Sequence, residues 1–130
     1  MSDNSLFLGL QHLGLPTADI DKTIEFYKQF GFSVDWHQDN SESDRVAFLS
    51  CGSCVIETYL TVSPAMINGA VDHIAIDVSD IDKAYDYVRS LGYKTLESQI
   101  TYLPFFEHGV KYFTILGTNH EKVEFNQKLK

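Results

Sequence analysis

Residues 12–32, HLGLPTADIDKTIEFYKQFGF, and residues 73–93, HIAIDVSDIDKAYDYVRSLGY, align without a gap at an offset of 61 residues. A chain written twice in this way is confined to folds assembled from two copies of one unit. Six positions are identical, namely His12/His73, Asp19/Asp80, Ile20/Ile81, Asp21/Asp82, Lys22/Lys83 and Gly31/Gly92. Others keep their character, as in Leu13/Ile74, Leu15/Ile76, Phe26/Tyr87 and Phe32/Tyr93.

Each copy opens on an alternating apolar stretch, Leu6 to Leu15 and Val71 to Val78, which reads as a strand of period two. A helix follows. Asp19 or Thr17 is a candidate cap for the first and Ser79 or Asp80 for the second, with Ile20, Ile24, Tyr27 and Ile81, Tyr85, Val88 spaced to face inward. Gly31 and Gly92 suit the left-handed residue that closes a helix. Three β-rich runs then complete each copy: Phe32 to His37, Arg45 to Ser50 and Val55 to Thr61 in the first, Tyr93 to Ile100, Val110 to Leu116 and Lys122 to Asn126 in the second. In the first, the runs are separated by the polar stretch Gln38 to Asp44 and by Cys51-Gly52-Ser53-Cys54. The predicted order is βαβββ twice, an α+β chain forming a single domain over 1–130 with modules at 6–62 and 70–128. Val62 to Ala70, with Pro64 and Gly69, links them.

The bulk properties narrow the function. A 44% hydrophobic content in 130 residues supports a real core. A formal charge of -8 repels phosphate backbones, which argues against a nucleic-acid partner. No apolar run is long enough to span a bilayer, and Met1-Ser2-Asp3-Asn4 lacks the basic start of a secretory signal, so a cytoplasmic address is expected. The two cysteines, in Cys51-x-x-Cys54, have no second pair for a zinc site and fall at a hairpin turn rather than at a helix start that would activate a thiol.

Four polar residues interrupt the apolar strands. His12 and His73 stand among Leu10, Leu13, Leu15 and Val71, Ile74, Ile76; Glu57 and Glu124 stand in Val55-Ile56-Glu57-Thr58-Tyr59 and Lys122-Val123-Glu124-Phe125. A carboxylate on a buried face is costly unless paired, hydrogen-bonded or bound to a metal. The chain has two arginines, Arg45 and Arg89, with Arg89 on the second helix, and lysines touch the strand runs only at their ends. A metal would supply the missing positive charge. The glutamates are 67 residues apart rather than 61, and the six extra residues fall naturally in the loop from Tyr102 to Gly109. His12, Glu57, His73 and Glu124 are thus expected to ligate one divalent ion (Ni, Zn, Co, Mn or Fe), with positions left open to water or substrate.

On these features the chain resembles the vicinal oxygen chelate superfamily, the group of glyoxalases, extradiol dioxygenases and bleomycin-resistance proteins. The resemblance covers essentially the whole chain and is carried by the two His-containing first strands, the helix DIDKTIEFYKQFGF and the closing EKVEFNQ. It implies two βαβββ modules whose strands form an open, cupped eight-stranded mixed sheet around the metal. The order His, Glu, His, Glu is most similar to glyoxalase I, since dioxygenases and fosfomycin-modifying members typically use two histidines and one carboxylate. It implies a lyase or isomerase that converts a hemithioacetal of methylglyoxal, or a related α-hydroxycarbonyl compound, to a thioester through an enediolate. Glu124 is then the leading base, with Glu57 on the opposite face, and both ligate the resting metal. A homodimer is also implied. In glutathione-dependent bacterial members an arginine stands four residues after the first histidine, and Pro16 stands there in this chain, so the implied thiol is not tied to glutathione.

Arg45, Lys111 and Asn126 are candidate substrate contacts, and Tyr102-Leu103-Pro104-Phe105-Phe106 is a candidate cover. His108 is the loop histidine expected to border the cleft, while Trp36 is expected to pack. Two further readings compete: another enzyme of the superfamily, such as an epimerase or a ring-cleaving dioxygenase, and a metal-free protein that sequesters an antibiotic.

Overall fold

Asp19 and Asp80 both hold extended backbone, and each side chain accepts a 3.1 Å hydrogen bond from the amide three residues on, Lys22 and Lys83. They, rather than Thr17 or Ser79, are the caps that start α1 (Ile20–Lys28) and α2 (Ile81–Ser90). The first helix closes as anticipated: Gly31 takes φ 88°, Phe32 N–H reaches Tyr27 O at 3.2 Å, and Gly31 N–H reaches Lys28 O at 3.4 Å. That is the Schellman pattern, which requires a residue with positive φ. Gly92, with φ 96°, ends α2. Replacing either cap, Asp19→Ala or Asp80→Ala, should cost about 1 kcal/mol, read as a lower urea midpoint at unchanged slope.

The computed structural model describes Leu6 and residues 8–130. The N-terminal Met1–Asn4, and Phe7 of the expected first strand, lie outside the described residues. The remaining elements are β1 (Leu13–Thr17), β2 (Ser33–Ser41), β3 (Asp44–Cys51), β4 (Cys54–Leu60), β5 (His73–Asp77), β6 (Thr101–Leu103), β7 (Val110–Leu116) and β8 (Lys122–Lys128). The chain divides into two compact units between Ala65 and Met66, each with the order βαβββ. The first holds a four-stranded mixed sheet in the order β1-β4-β3-β2, the second one in the order β5-β8-β7-β6. In each, the first strand runs parallel to the fourth and the other neighbours are antiparallel. No helix among the described residues is long and apolar enough to cross a membrane.

Three boundaries differ from the expectation. β1 begins at Leu13, so His12 precedes the strand instead of lying within it; Leu8 and Leu10 are exposed, and among the described residues no strand pairs with them. The polar stretch expected as a loop after His37 is mostly ladder, because β2 continues to Ser41 with irregular register at Val34/Trp36 and Asp39/Ser41. Tyr93–Ile100 is not a strand. There Leu96 N–H bonds Thr114 O at 2.8 Å, but the Glu97 carboxylate, not a backbone carbonyl, accepts from Thr114 N–H at 2.7 Å. A side chain has taken the place of a ladder bond, and pairing with β7 resumes only at Thr101.

One face of each sheet is closed by its helix. In the first unit α1 lies on β3 and β4, burying Ile20, Phe26 and Tyr27 with Ala47, Leu49 and Ile56. The buried polar groups there are satisfied: Thr17 Oγ1 lies 2.9 Å from Thr23 Oγ1, and Thr58 Oγ1 donates to Leu15 O at 2.9 Å. In the second unit α2 lies on β7 and β8, burying Ile81 and Val88 with Phe113, Ile115, Val123 and Phe125. Phe113 stacks on Phe125 with centroids 5.1 Å apart and meets the Tyr85 ring edge-on at 5.2 Å.

Candidate metal centre

Strand alternation decides which face each polar residue takes. In β4, Ile56 and Thr58 are buried beneath α1, so Glu57 between them points to the opposite face. Its cross-strand partners are Gly14 of β1 and Phe48 of β3. His12, two residues before Gly14, falls on the same side. The second unit repeats the arrangement: Val123 and Phe125 are buried, and Glu124 is paired with Ala75, two residues after His73, and with Thr114. Gly14 and Ala75 are equivalent at the repeat offset, so the glutamates are structural counterparts although their separation is 67.

The outcome is the same contact twice. His12 Nε2 lies 3.3 Å from Glu57 Oε1, and His73 Nε2 lies 3.3 Å from Glu124 Oε1. The other ring nitrogen is also engaged in each: His12 Nδ1 donates to Gln11 Oε1 and His73 Nδ1 to Asp72 Oδ2, both at 2.9 Å. Because those oxygens only accept, Nδ1 is the donor in each contact, and Nε2 is directed at the glutamate. A metal-ligating histidine is characteristically held in this way through its second nitrogen.

The donor set fits a divalent ion. Two N or O donors at about 2.0–2.2 Å from a metal stand about 2.8–3.6 Å apart for bond angles between octahedral and tetrahedral. The observed 3.3 Å lies in that interval and is longer than a good N–H···O bond. The groups are also more accessible than an apolar strand setting suggested: side-chain exposure is 31% for His12, 28% for Glu57 and 43% for His73, with Glu124 at 14%. The reason is that they occupy the face that neither helix covers. Among the described residues, no three or more His, Cys, Asp or Glu side chains stand together as a metal-binding cluster, so each histidine is brought to one glutamate and the two pairs are not gathered into one group.

The units differ in what surrounds the pair. In the first it is aromatic: His12 meets Phe48 edge-on at 5.4 Å, and Trp36, half exposed, lies against Phe48 at 6.1 Å. In the second, a cleft of about 540 Å³ opens over His73 and Glu124, with Leu96, Leu103 and Phe105 as apolar wall and Asp72, Lys122, Tyr112 and Asn126 as polar wall. Asp72 is shared there, accepting from Asn68 Nδ2 at 2.9 Å and Lys122 Nζ at 3.3 Å as well as from His73. The His73 imidazole first, then the Lys122 ammonium, holds its carboxyl below the usual range.

Several candidate contacts fall elsewhere. Arg45 is taken up by Asp21 of α1, at 2.9 and 3.0 Å, and by Asp39 at 2.9 Å, beside a small crevice of about 170 Å³ formed with Ile20, Ile24 and Val34. Lys111 pairs across the ladder with Gln127, whose side chain accepts from Ile81 N–H, placing it away from the cleft. His108 is not a cleft residue, its Nε2 lying 3.7 Å from Glu107. Of the aromatic loop, Leu103 and Phe105 line the cleft, while Phe106 is largely exposed with Lys128 Nζ 4.3 Å from its ring centroid. Asn126 does lie in the cleft, but its Nδ2 donates to Glu124 Oε2 at 2.8 Å. Cys51 and Cys54 are free thiols facing each other across the β3–β4 turn; burial, and then Cys51, push the Cys54 thiol up, away from a reactive thiolate. Gln11, Asp72 and Glu97 were not singled out by the sequence reading; the first two stand directly before the repeat histidines but differ in type, so the repeat does not mark them.

The molecule's relatives agree with this architecture. The chain is 30% identical over 127 residues to YwbC, an uncharacterized protein of Bacillus subtilis (strain 168), covering 92% of this chain and 97% of that one. Among solved structures, SMU.1112c superposes with a TM-score of 0.77 at 20% identity, over 92% of this chain and 98% of the other. A V278E mutant of glyoxalase I from Zea mays superposes with a TM-score of 0.72 at 21% identity, over 92% of this chain and 44% of the maize chain. Residues 9–102 match the model of the Glyoxalase/Bleomycin resistance protein/Dioxygenase superfamily. With most of its length matched and tandem βαβββ units that each carry a His–Glu pair, the chain belongs to that superfamily.

Proposed function

We propose that the protein is a metal-dependent lyase of the glyoxalase I type, acting on the hemithioacetal of methylglyoxal and a thiol or on a related α-hydroxycarbonyl compound. The observation that carries this reading is the His Nε2–Glu Oε1 pair at 3.3 Å, present in both units. One pair leaves a divalent ion short of the four to six ligands such ions take. Two pairs complete the protein's share and leave positions for substrate oxygens. His12, Glu57, His73 and Glu124 are the proposed ligands. When bound, the metal supplies Lewis-acid stabilisation of the charge that develops on two neighbouring substrate oxygens.

The chain's own residues do the remainder. Gln11 and Asp72 fix the imidazoles so that Nε2, not Nδ1, is presented. Glu124 takes the carbon-bound proton of the substrate and returns it to the adjacent carbon, an isomerisation that needs neither oxidant nor reductant. Leu96, Leu103 and Phe105 give the cleft over that carboxylate an apolar side. Pro16 stands at the sequence position where an arginine would favour glutathione, so other thiols are equal candidates. A homodimer and a cytoplasmic location accompany this reading.

The test is turnover. Nickel- or zinc-loaded protein, given methylglyoxal with glutathione, bacillithiol or small synthetic thiols, should produce thioester absorbance with at least one of them. No thioester with any thiol contradicts the reaction. Iron-dependent oxygen uptake would instead indicate a dioxygenase, and tight antibiotic binding by metal-free protein a sequestering role.

A further inference from the structure

The internal repeat offers a comparison within one molecule. Each glutamate sits in its sheet's fourth strand opposite the small residue that follows the histidine by two, yet the next residue on the same face differs. After Glu57 it is Tyr59, and after Glu124 it is Asn126. Asn126 Nδ2 donates to Glu124 Oε2 at 2.8 Å. Glu124 is thus held at both oxygens, by Asn126 at Oε2 and near His73 Nε2 at Oε1. Among the described residues, His12 is the one polar neighbour of the Glu57 carboxylate, and the Glu57 side chain is twice as exposed as that of Glu124, 28% against 14%.

We infer that Asn126 is a positioning residue for Glu124, fixing the carboxylate plane so that one oxygen stays aimed at the His73 side of the cleft. The inference rests on the ligand-and-base role proposed for Glu124. A carboxylate that binds a cation and also moves a proton must keep its place when it exchanges one task for the other. An anchored second oxygen provides that, and outer partners of this kind typically contribute 10- to 100-fold to metal affinity or activity. The donor is an uncharged amide two residues along the same strand, so the alternation that puts Glu124 in the cleft puts its support there too.

The variants are Asn126→Asp, which keeps the shape and removes the donor, and Asn126→Leu, which removes the donor without adding charge. On cobalt-loaded protein, both should weaken cobalt binding by about 10- to 100-fold, alter the visible cobalt spectrum and lower kcat with KM little changed. Wild-type affinity and spectrum in both variants would overturn the inference. Failure of the underlying reading shows separately, as a wild-type protein that takes up no cobalt. In that case the metal-free protein still decides. The infrared carboxylate band assigned to Glu124 by its loss in Glu124→Gln should shift in Asn126→Leu, and an unmoved band would overturn the positioning role.

Discussion

Replacing Glu124 by glutamine should lower kcat for thioester formation by about 10²- to 10⁴-fold, the range that a positioned acid–base group contributes. Glutamine keeps the volume and one carbonyl oxygen but removes the anionic oxygen that accepts the substrate proton. The side chain lies on the face away from α2, so the substitution leaves the core of Val123, Phe125 and Phe113 intact. The denaturation midpoint should therefore remain near that of the wild type, separating lost chemistry from lost fold. Glu57→Gln should cost less in kcat than Glu124→Gln, because Glu57 is assigned to ligation with the proton transfer placed on Glu124. Equal activity of wild type and Glu124→Gln would remove Glu124 as the base.

The largest effect on stability is expected from Phe113→Ala. Phe113 is fully buried and its ring touches both Phe125 and Tyr85, joining β7, β8 and α2. Truncation removes the transfer free energy of the ring and leaves a cavity that two aromatic neighbours cannot readily fill, at a cost of about 3–5 kcal/mol. Against the 5–15 kcal/mol typical of a whole domain, that should shift the urea midpoint strongly downward, with the loss shared by the cleft above it. A change under about 1 kcal/mol would mean that the second unit's core is not organised around this ring.

Much of this was legible in the sequence because the repeat counts as two readings of one unit. The histidine, the first strand, the helix and its glycine termination in each unit follow from positions that recur, while the three later strands and the glutamates, 67 residues apart, are read from local pattern. The misses come where local pattern and tertiary partner part company. Tyr93 to Ile100 reads as a β-rich run, yet the Glu97 side chain captures the Thr114 N–H that a strand carbonyl would have taken. Leu8 and Leu10 alternate too, but described strand pairing of β1 starts only at Leu13. Conversely, Gln38 to Ser41 is polar on both faces and still forms ladder, because the adjoining residues of β3 fix its register.

At the site, residue type and spacing reached the four polar residues and stopped short of their supports. Gln11 and Asp72 precede the histidines by one residue, which no ligand-spacing rule weights, and their bonds to Nδ1 depend on side-chain direction that only coordinates supply. Arg45 illustrates the reverse error. A candidate substrate contact by residue type, it has its guanidinium occupied by Asp21 and Asp39.

The central claim is that one divalent ion is held by residues of both halves of the repeat. The most direct measurement is the metal content and cobalt affinity of purified protein beside its His12→Ala and His73→Ala variants. The account predicts one ion per chain for the wild type, with X-ray absorption showing two imidazole ligands, and a loss of affinity of at least tenfold in each variant. A protein that binds no ion, or one in which His73→Ala abolishes binding while His12→Ala leaves it unchanged, would contradict it.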